Sequence, residues 1–270
     1  MRVKQVWAVY WSATGTTEAV VSRISDVLAD CFDCPKRTVN FTLPAAREEA
    51  YSFEAGDLLV FGTPTYAGRV PNLLLPFLTG KIHGDGALAV PVVLFGNRNY
   101  DDSLKELRNI LEGNGLRTVA SGAFAGQHSF SKILGAGRPD AADLTLAENF
   151  ARQIADKVKS LTELPPQREA EPLRPYYTPR DRNGNSIDIR KVKPKTSDAC
   201  DNCGLCARLC PMGSIDLENP RNVTGVCIKC CACEKNCPQG AKYFDDPGYL
   251  FHRSELEAQY ARRAEGELFL

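Results

Sequence analysis

The sequence carries no excess charge of either sign. Its 33 Lys and Arg balance 33 Asp and Glu over 270 residues, which leaves no global field to hold a polyanion and excludes nucleic acid as an expected partner. Long apolar runs are missing too. The longest, such as Ala87 to Phe95, fall far short of the about 18 to 20 residues that span a bilayer, so no membrane segment is expected. Met1 to Val6 is followed by no apolar stretch of signal-peptide length, and a cytoplasmic location is the expectation. Neither a Gly-x4-Gly-Lys-Ser/Thr loop nor a complete Gly-x-Gly-x-x-Gly after a strand is present, so nucleotide hydrolysis and direct NAD(P)H binding are unsupported. Cysteine is nearly absent from the first 199 residues, which hold only Cys31 and Cys34.

What is present belongs to a folded chain. With 43% hydrophobic and 24% charged residues, the composition excludes disorder and fibrous architectures. The length exceeds the about 100 to 200 residues of one domain, which predicts two. Over residues 1–165 short apolar runs alternate with amphipathic segments, the pattern of helices around a parallel sheet. Strands are expected at Val6 to Tyr10, Thr38 to Phe41, Asp57 to Phe61, Leu88 to Phe95 and Thr118 to Ala125. Helices are expected at Thr17 to Asp30, Pro71 to Thr79, Asp101 to Asn114 and Asp140 to Leu161. Residues 166–195 are rich in Pro and Arg and read as a linker or wrapping segment. Asp181 to Val192 departs from a calcium loop, with Ser186 where Gly and Val192 where Glu would stand, so a turn is preferred. Residues 196–246 form a cysteine-rich unit, and 247–270 a charged helix or tail, with Arg253 to Glu265 as the helical part.

Nine of the 11 cysteines fall between Cys200 and Cys237. Cys200-x2-Cys203-x2-Cys206-x3-Cys210-Pro211 recurs 27 positions later as Cys227-x2-Cys230-x2-Cys233-x3-Cys237-Pro238. Three thiolates at intervals of three wrap one corner of a cubane, and the fourth, followed by Pro, serves the other cluster. That rule assigns Cys200, Cys203, Cys206 and Cys237 to one [4Fe–4S] cluster and Cys227, Cys230, Cys233 and Cys210 to the other. Structural zinc prefers two cysteine pairs with a longer spacer, so iron–sulfur is the expectation. Residues Ser197 to Asp246 resemble a bacterial two-cluster ferredoxin, a small α+β unit. Cys231, off the spacing, reads as an inert thiol. Lys229, Lys235 and Lys242 read as solvated charge or a docking face.

After the first strand comes Ser12-Ala13-Thr14-Gly15-Thr16-Thr17, a hydroxyl-rich turn opening onto a helix. Its hydroxyls and helix-start N–H groups suit a phosphate monoester. It resembles the FMN phosphate loop of flavodoxins, which implies a doubly wound five-stranded sheet in the order 2-1-3-4-5 with ligand at the carboxyl ends of strands one and three. The loops after strands three and four carry aromatics between small residues. Tyr66 and Tyr100 are the candidates to sandwich a flavin ring, Thr63 and Asn97 to bond its polar edge, and Pro64, Gly68 and Gly96 to let it approach. Cys31 and Cys34 read as structural thiols, and His128 as a weak candidate proton donor.

The whole chain resembles fused anaerobe proteins in which a flavodoxin-like domain precedes a two-cluster ferredoxin, often labelled EFR1-type. Gly62-x-Pro64-x-Tyr66-x-Gly68-Arg69-Val70-Pro71, Gly96-Asn97-Arg98, Gly126 to Phe130 and Gly137 to Asp140 carry that resemblance. It implies an electron-transfer iron–sulfur flavoprotein with FMN and two [4Fe–4S] clusters, exchanging electrons with a ferredoxin, a reductase or an acceptor enzyme. Two alternatives stand beside it: a flavin-dependent reductase of a small organic substrate using Arg69, Arg98 or His128, and a flavin-free docking module.

Overall fold

The computed structural model describes residues 2–270. Alternation within the apolar runs decides the architecture. In β1 (Gln5–Tyr10), β3 (Asp57–Pro64) and β4 (Leu88–Phe95), successive side chains feed opposite faces of one sheet. Val6, Leu58 and Val90 belong to one core, whereas Val9, Leu59 and Ala89 belong to the other. β4 is buried along its whole length, as a central strand covered on both faces must be.

The parallel order is β2 (Lys36–Asn40), β1, β3, β4 and β5 (Ser121–Ala125). Only Val39 of β2 is buried, which suits an edge. Helices α1 (Thr16–Phe32) and α4 (Ala141–Ser160) cover one face through Val20, Ile24, Leu28, Phe150 and Ile154. On the other lie α2 (Leu75–Gly80) and α3 (Ser103–Gly113), packed through Phe77, Leu78, Leu104 and Leu107. α4 starts with a capping box in which Asp140 and Asp143 exchange side-chain and backbone bonds.

Several elements differ from expectation. The fifth strand is interrupted, with Arg117–Thr118 and Ser121–Ala125 pairing separately with β4. The second helix is shortened by a 3-10 turn at Asn72–Leu74. The last helix is α5 (Pro247–Gln259), earlier than Arg253 to Glu265: the Asp246 carboxylate accepts the Tyr249 N–H and Pro247 occupies the first turn, which fixes the start. The chain then returns to the sheet, adding β6 (Glu267–Phe269) antiparallel to the free edge of β5.

Residues 161–195 wrap. Arg108 pairs with Glu171 at 2.6 Å, Arg174 with Asp102 at 2.8 Å, and the Tyr177 N–H donates to the Ala67 carbonyl at 2.8 Å. The segment beyond is closed by an antiparallel ribbon of Lys195–Thr196 with Lys242–Tyr243. Its duplication is structural as well as sequential. One-turn helices Leu205–Arg208 and Ala232–Lys235 stand in equivalent positions, and left-handed residues recur as Asn202 and Lys229, Gly204 and Cys231, Gly213 and Gly240. Non-glycine residues in that region are strained, and such strain gathers where a site dictates the backbone.

Candidate functional site

A cavity of about 700 Å³ opens at the carboxyl ends of β1, β3 and β4. Thr14, Thr16 and Thr17 line one side, Pro64, Tyr66 and Gly68 another, and Gly96, Arg98, His128 and Phe130 a third. The wrapping segment contributes Tyr176 to Pro179 and Ser186 to Arg190. The second cysteine motif closes the wall with Val226, Cys227, Ile228 and Lys229. Cys230 and Ala232 of that motif pack into the same apolar core as Trp11 and Phe61, so the motif is seated on the sheet.

The α1 terminus faces the cavity with donors that could hold an anion. Gly15 takes φ 82 as its N-cap and provides no side-chain cap. A helix start leaves N–H groups unpaired and carries partial positive charge. Ser12 has a different task from the expected one: its hydroxyl accepts the Glu18 N–H at 3.1 Å and it does not line the cavity, because it already satisfies one of those helix donors. Gly15 does not line it either. Gly62 lets α1 lie close, since a Cβ there would stand 2.3 Å from Val21 Cγ2 and 2.9 Å from Thr17 Cγ2.

Tyr66 sits in a tight turn, exchanging backbone hydrogen bonds with Arg69 across left-handed Ala67 and Gly68. A Cβ on Gly68 would meet Asp101. The Tyr66 ring stands edge-on to Trp11, with centroids 5.9 Å apart. Burial pushes its hydroxyl well above the usual phenol range, and Cys230 adds to that. Tyr66 therefore lines the cavity and packs in the same cluster as Cys230 of the second cysteine motif.

Three residues expected at the ring do not line the cavity. Tyr100 packs on Phe95 and donates to Glu267 Oε2 at 2.6 Å, serving β6. Asn97 is buried at φ 63 with its amide engaged by Tyr260, Arg262 and Ala264. Thr63 is an interior strand residue because β3 runs on to Pro64, and its buried Oγ1 has no hydrogen-bond partner among the described residues. Arg69 is likewise committed, making a forked pair with Glu106 at 2.6 and 2.8 Å and stacking on Tyr176.

His128 does belong to the cavity. Gly96 makes room for it, since a Cβ there would lie 2.4 Å from His128 Cδ2. Burial, with His252, Lys235 and Arg98 adding, lowers its pKa to about 3. The ring is neutral, its Nδ1 accepts the Phe130 N–H at 3.1 Å, and the proton is thereby assigned to Nε2. Trp11, Tyr177 and His252 were missed as cavity residues. Trp11 follows the β1 alternation one position past the strand and was readable; the other two arrive from the wrapping segment and α5.

Three cysteine sulfurs accept backbone hydrogen bonds. The Ser214 N–H donates to Cys210 Sγ at 3.3 Å, Ala241 to Cys237 Sγ at 3.2 Å, and Lys229 to Cys227 Sγ at 3.4 Å. The first two are the same bond in the two copies. Burial raises the Cys230 pKa to about 12, and Cys227 and Cys210 push it the same way, so Cys210 of the first copy stands with the second. Burial raises Cys206, and Cys200 adds to that. Cys203 is exposed, whereas Cys230, Cys231 and Cys233 are buried. Among the described residues no three His, Cys, Asp or Glu side chains gather as ligands of one metal ion. A four-iron cluster places each thiolate on a different iron and calls for a wider ring of sulfurs. Cys231 is a packing thiol beside Tyr249, 3.5 Å from its hydroxyl. The motif's three lysines turn inward: Lys229 Nζ bonds the Arg190 and Cys227 carbonyls, Lys235 the His128 carbonyl, and Lys242 is buried.

No protein-family model matches the sequence, and no curated protein matches it. Among solved structures the chain is similar to flavodoxin 2 from Bacillus cereus, at 17% identity and TM-score 0.41 over 57% of this chain and 99% of that one. The flavodoxin of Streptococcus pneumoniae TIGR4 stands at 19% and 0.40, with 57% and 99% covered. The apo form of an NADH:FMN oxidoreductase stands at 17% and 0.40, with 63% and 97% covered. The parallel order β2-β1-β3-β4-β5 between two helix layers is itself a flavodoxin-like α/β fold.

Proposed function

We propose that this chain is an electron-transfer iron–sulfur flavoprotein: a flavodoxin-like domain over residues 1–165 that holds FMN, joined by the wrapping segment 166–195 to a two-cluster ferredoxin unit over 196–246. The carrying observation is the shared wall of the cavity. Its floor is a helix start whose N-cap, Gly15, has no side chain, with Thr14, Thr16 and Thr17, and its far side is Cys227 to Lys229. When bound, the flavin couples one-electron to two-electron traffic and the clusters carry single electrons.

The chain's own residues then have separate tasks. The α1 terminus and its threonines hold a phosphate. Tyr66 and Trp11 give a ring an aromatic wall and, with Gly68 and Gly96, shape the slot. The ligand sets are Cys200, Cys203, Cys206 and Cys237, and Cys227, Cys230, Cys233 and Cys210, with backbone N–H groups on the sulfurs stabilising thiolate charge. Redox proteins are the proposed partners, because Cys203 lies at the surface.

A second reading, reduction of a small organic molecule at the flavin, is favoured by neutral His128 in the cavity wall, where Nε2–H is a hydrogen-bond donor that can orient a substrate oxygen. Anaerobic reconstitution with iron, sulfide and FMN tests the first reading. About eight irons and one quenched flavin per chain are expected. Full iron without FMN would remove the flavin assignment, and no iron would remove the clusters.

A further inference from the structure

The two copies of the cysteine motif agree in their helices, turns and sulfur bonds, yet one interior position breaks the correspondence. Ile215 follows Cys210 by five residues and Lys242 follows Cys237 by five. Both are buried, at 7% and 3% exposure. An isoleucine needs nothing further in such a place. An ammonium does, because a buried charge is costly unless an opposite charge and hydrogen bonds surround it.

Lys242 Nζ donates to Thr196 Oγ1 at 2.8 Å and to the Pro220 carbonyl. Both are neutral oxygens, and an ammonium has three N–H groups to place. The nearby carboxylates are taken, Asp245 by Lys195 and Asp198 by Arg221. Among the described residues Lys242 forms no ion pair. Its neighbours in the fold include cysteines of both ligand sets. The strand that carries Lys242 packs on the one-turn helix that carries Cys233, and the preceding residue, Ala241, donates its N–H to Cys237 Sγ at 3.2 Å, so one ligand of each set stands beside Lys242. Its backbone N–H faces Cys237 as well. A cation without a carboxylate, set among ligands of both centres, is matched in charge when those sulfurs carry iron and electrons.

We propose that Lys242 is the buried counter-charge shared by the two iron–sulfur centres and sets their reduction potentials above those a neutral residue would give. The inference rests on the iron–sulfur reading. Each electron added to a centre adds negative charge close to a fixed cation in a medium that screens poorly, so the reduced form gains more than the oxidised one. Removing the cation therefore makes reduction harder.

The test uses the full chain reconstituted anaerobically, comparing wild type with Lys242→Ile, which copies the first motif, Lys242→Gln and Lys242→Arg. Iron and sulfide content and EPR-monitored redox titration are read on each. The Ile and Gln variants are expected to keep about eight irons and to show at least one midpoint moved negative by about tenfold in the reduction equilibrium, about 59 mV for one electron, with Arg restoring it. Full iron with unchanged midpoints overturns the proposal. Should the neutral variants lose iron while Arg keeps it, the charge is required by the centres and the proposal stands. Loss in all three variants means that the lysine's own hydrogen bonds matter and the charge does not, which overturns it. A wild-type chain that takes up no iron fails the iron–sulfur reading itself and is told apart at that first step.

Discussion

The Asn97 side chain donates to the carbonyls of Tyr260 and Arg262, both at 2.7 Å, and accepts the Ala264 N–H at 3.1 Å. A residue of the loop beside the cavity thus fastens the C-terminal tail that ends in β6. Replacing it by Gly keeps the left-handed backbone and removes the amide. At about 0.5 to 1.5 kcal/mol for each hydrogen bond, the tail should open more often by about 2 to 4 kcal/mol. Limited trypsin digestion reads this directly, through faster cleavage after Arg262 and Arg263 in Asn97→Gly. Unchanged cleavage would mean that β6 pairing alone holds the tail.

The two tyrosines proposed for one task by sequence have different ones in space. Tyr66→Ala should weaken FMN binding by about tenfold or more, since an aromatic pair contributes about 0.5 to 1.5 kcal/mol beyond the area it buries. Tyr100→Ala should leave FMN binding unchanged and loosen β6, whose Glu267 it holds. Flavin fluorescence titration separates them. Equal losses in both would restore the sandwich.

The sheet was legible because its signal is local. The short apolar runs at Val6 to Tyr10 and Leu88 to Phe95 need no knowledge of the rest of the chain. The cysteine spacing is equally self-contained, and so is the hydroxyl-rich turn at Thr14 to Thr17. The fates of Asn97 and Tyr100 were not readable, because their partners lie more than 160 positions away in a tail whose charge hid its strand. The same applies to Lys242. Its sequence neighbours suggest a solvated lysine, and only the closing ribbon with Thr196 buries it.

Acid should destabilise the protein from about pH 6.5 downward. Burial lowers His128 to about 3 and His252 to about 4, whereas the unfolded chain titrates near 6.5. Below that value the unfolded state takes up protons that the folded state refuses. Stability is lost at up to about 1.4 kcal/mol per pH unit for each ring, until the folded pKa is reached. Asp102, which hydrogen bonds from Arg174 hold well below the usual carboxylate range, matters only below about pH 4. Urea midpoints followed by Trp7 and Trp11 fluorescence should therefore fall between about pH 7 and 5, and less steeply in His128→Asn. A flat profile over that interval would contradict neutral buried histidines.

The phosphate loop makes a prediction that distinguishes its residues from one another. Thr14 and Thr16 line the cavity at the start of α1, while Ser12 is spent on the Glu18 N–H. A hydrogen bond to a charged oxygen contributes about 1.5 to 3 kcal/mol. Thr14→Ala and Thr16→Ala should each weaken FMN binding by about tenfold to a hundredfold and leave riboflavin, which has no phosphate, unaffected. Ser12→Ala removes a helix cap at a cost of about 1 kcal/mol in stability and should lower both affinities alike or neither. The measured quantity is the ratio of FMN to riboflavin affinity. If that ratio falls in Ser12→Ala and not in the threonine variants, the anion sits on the far side of the turn from the helix start.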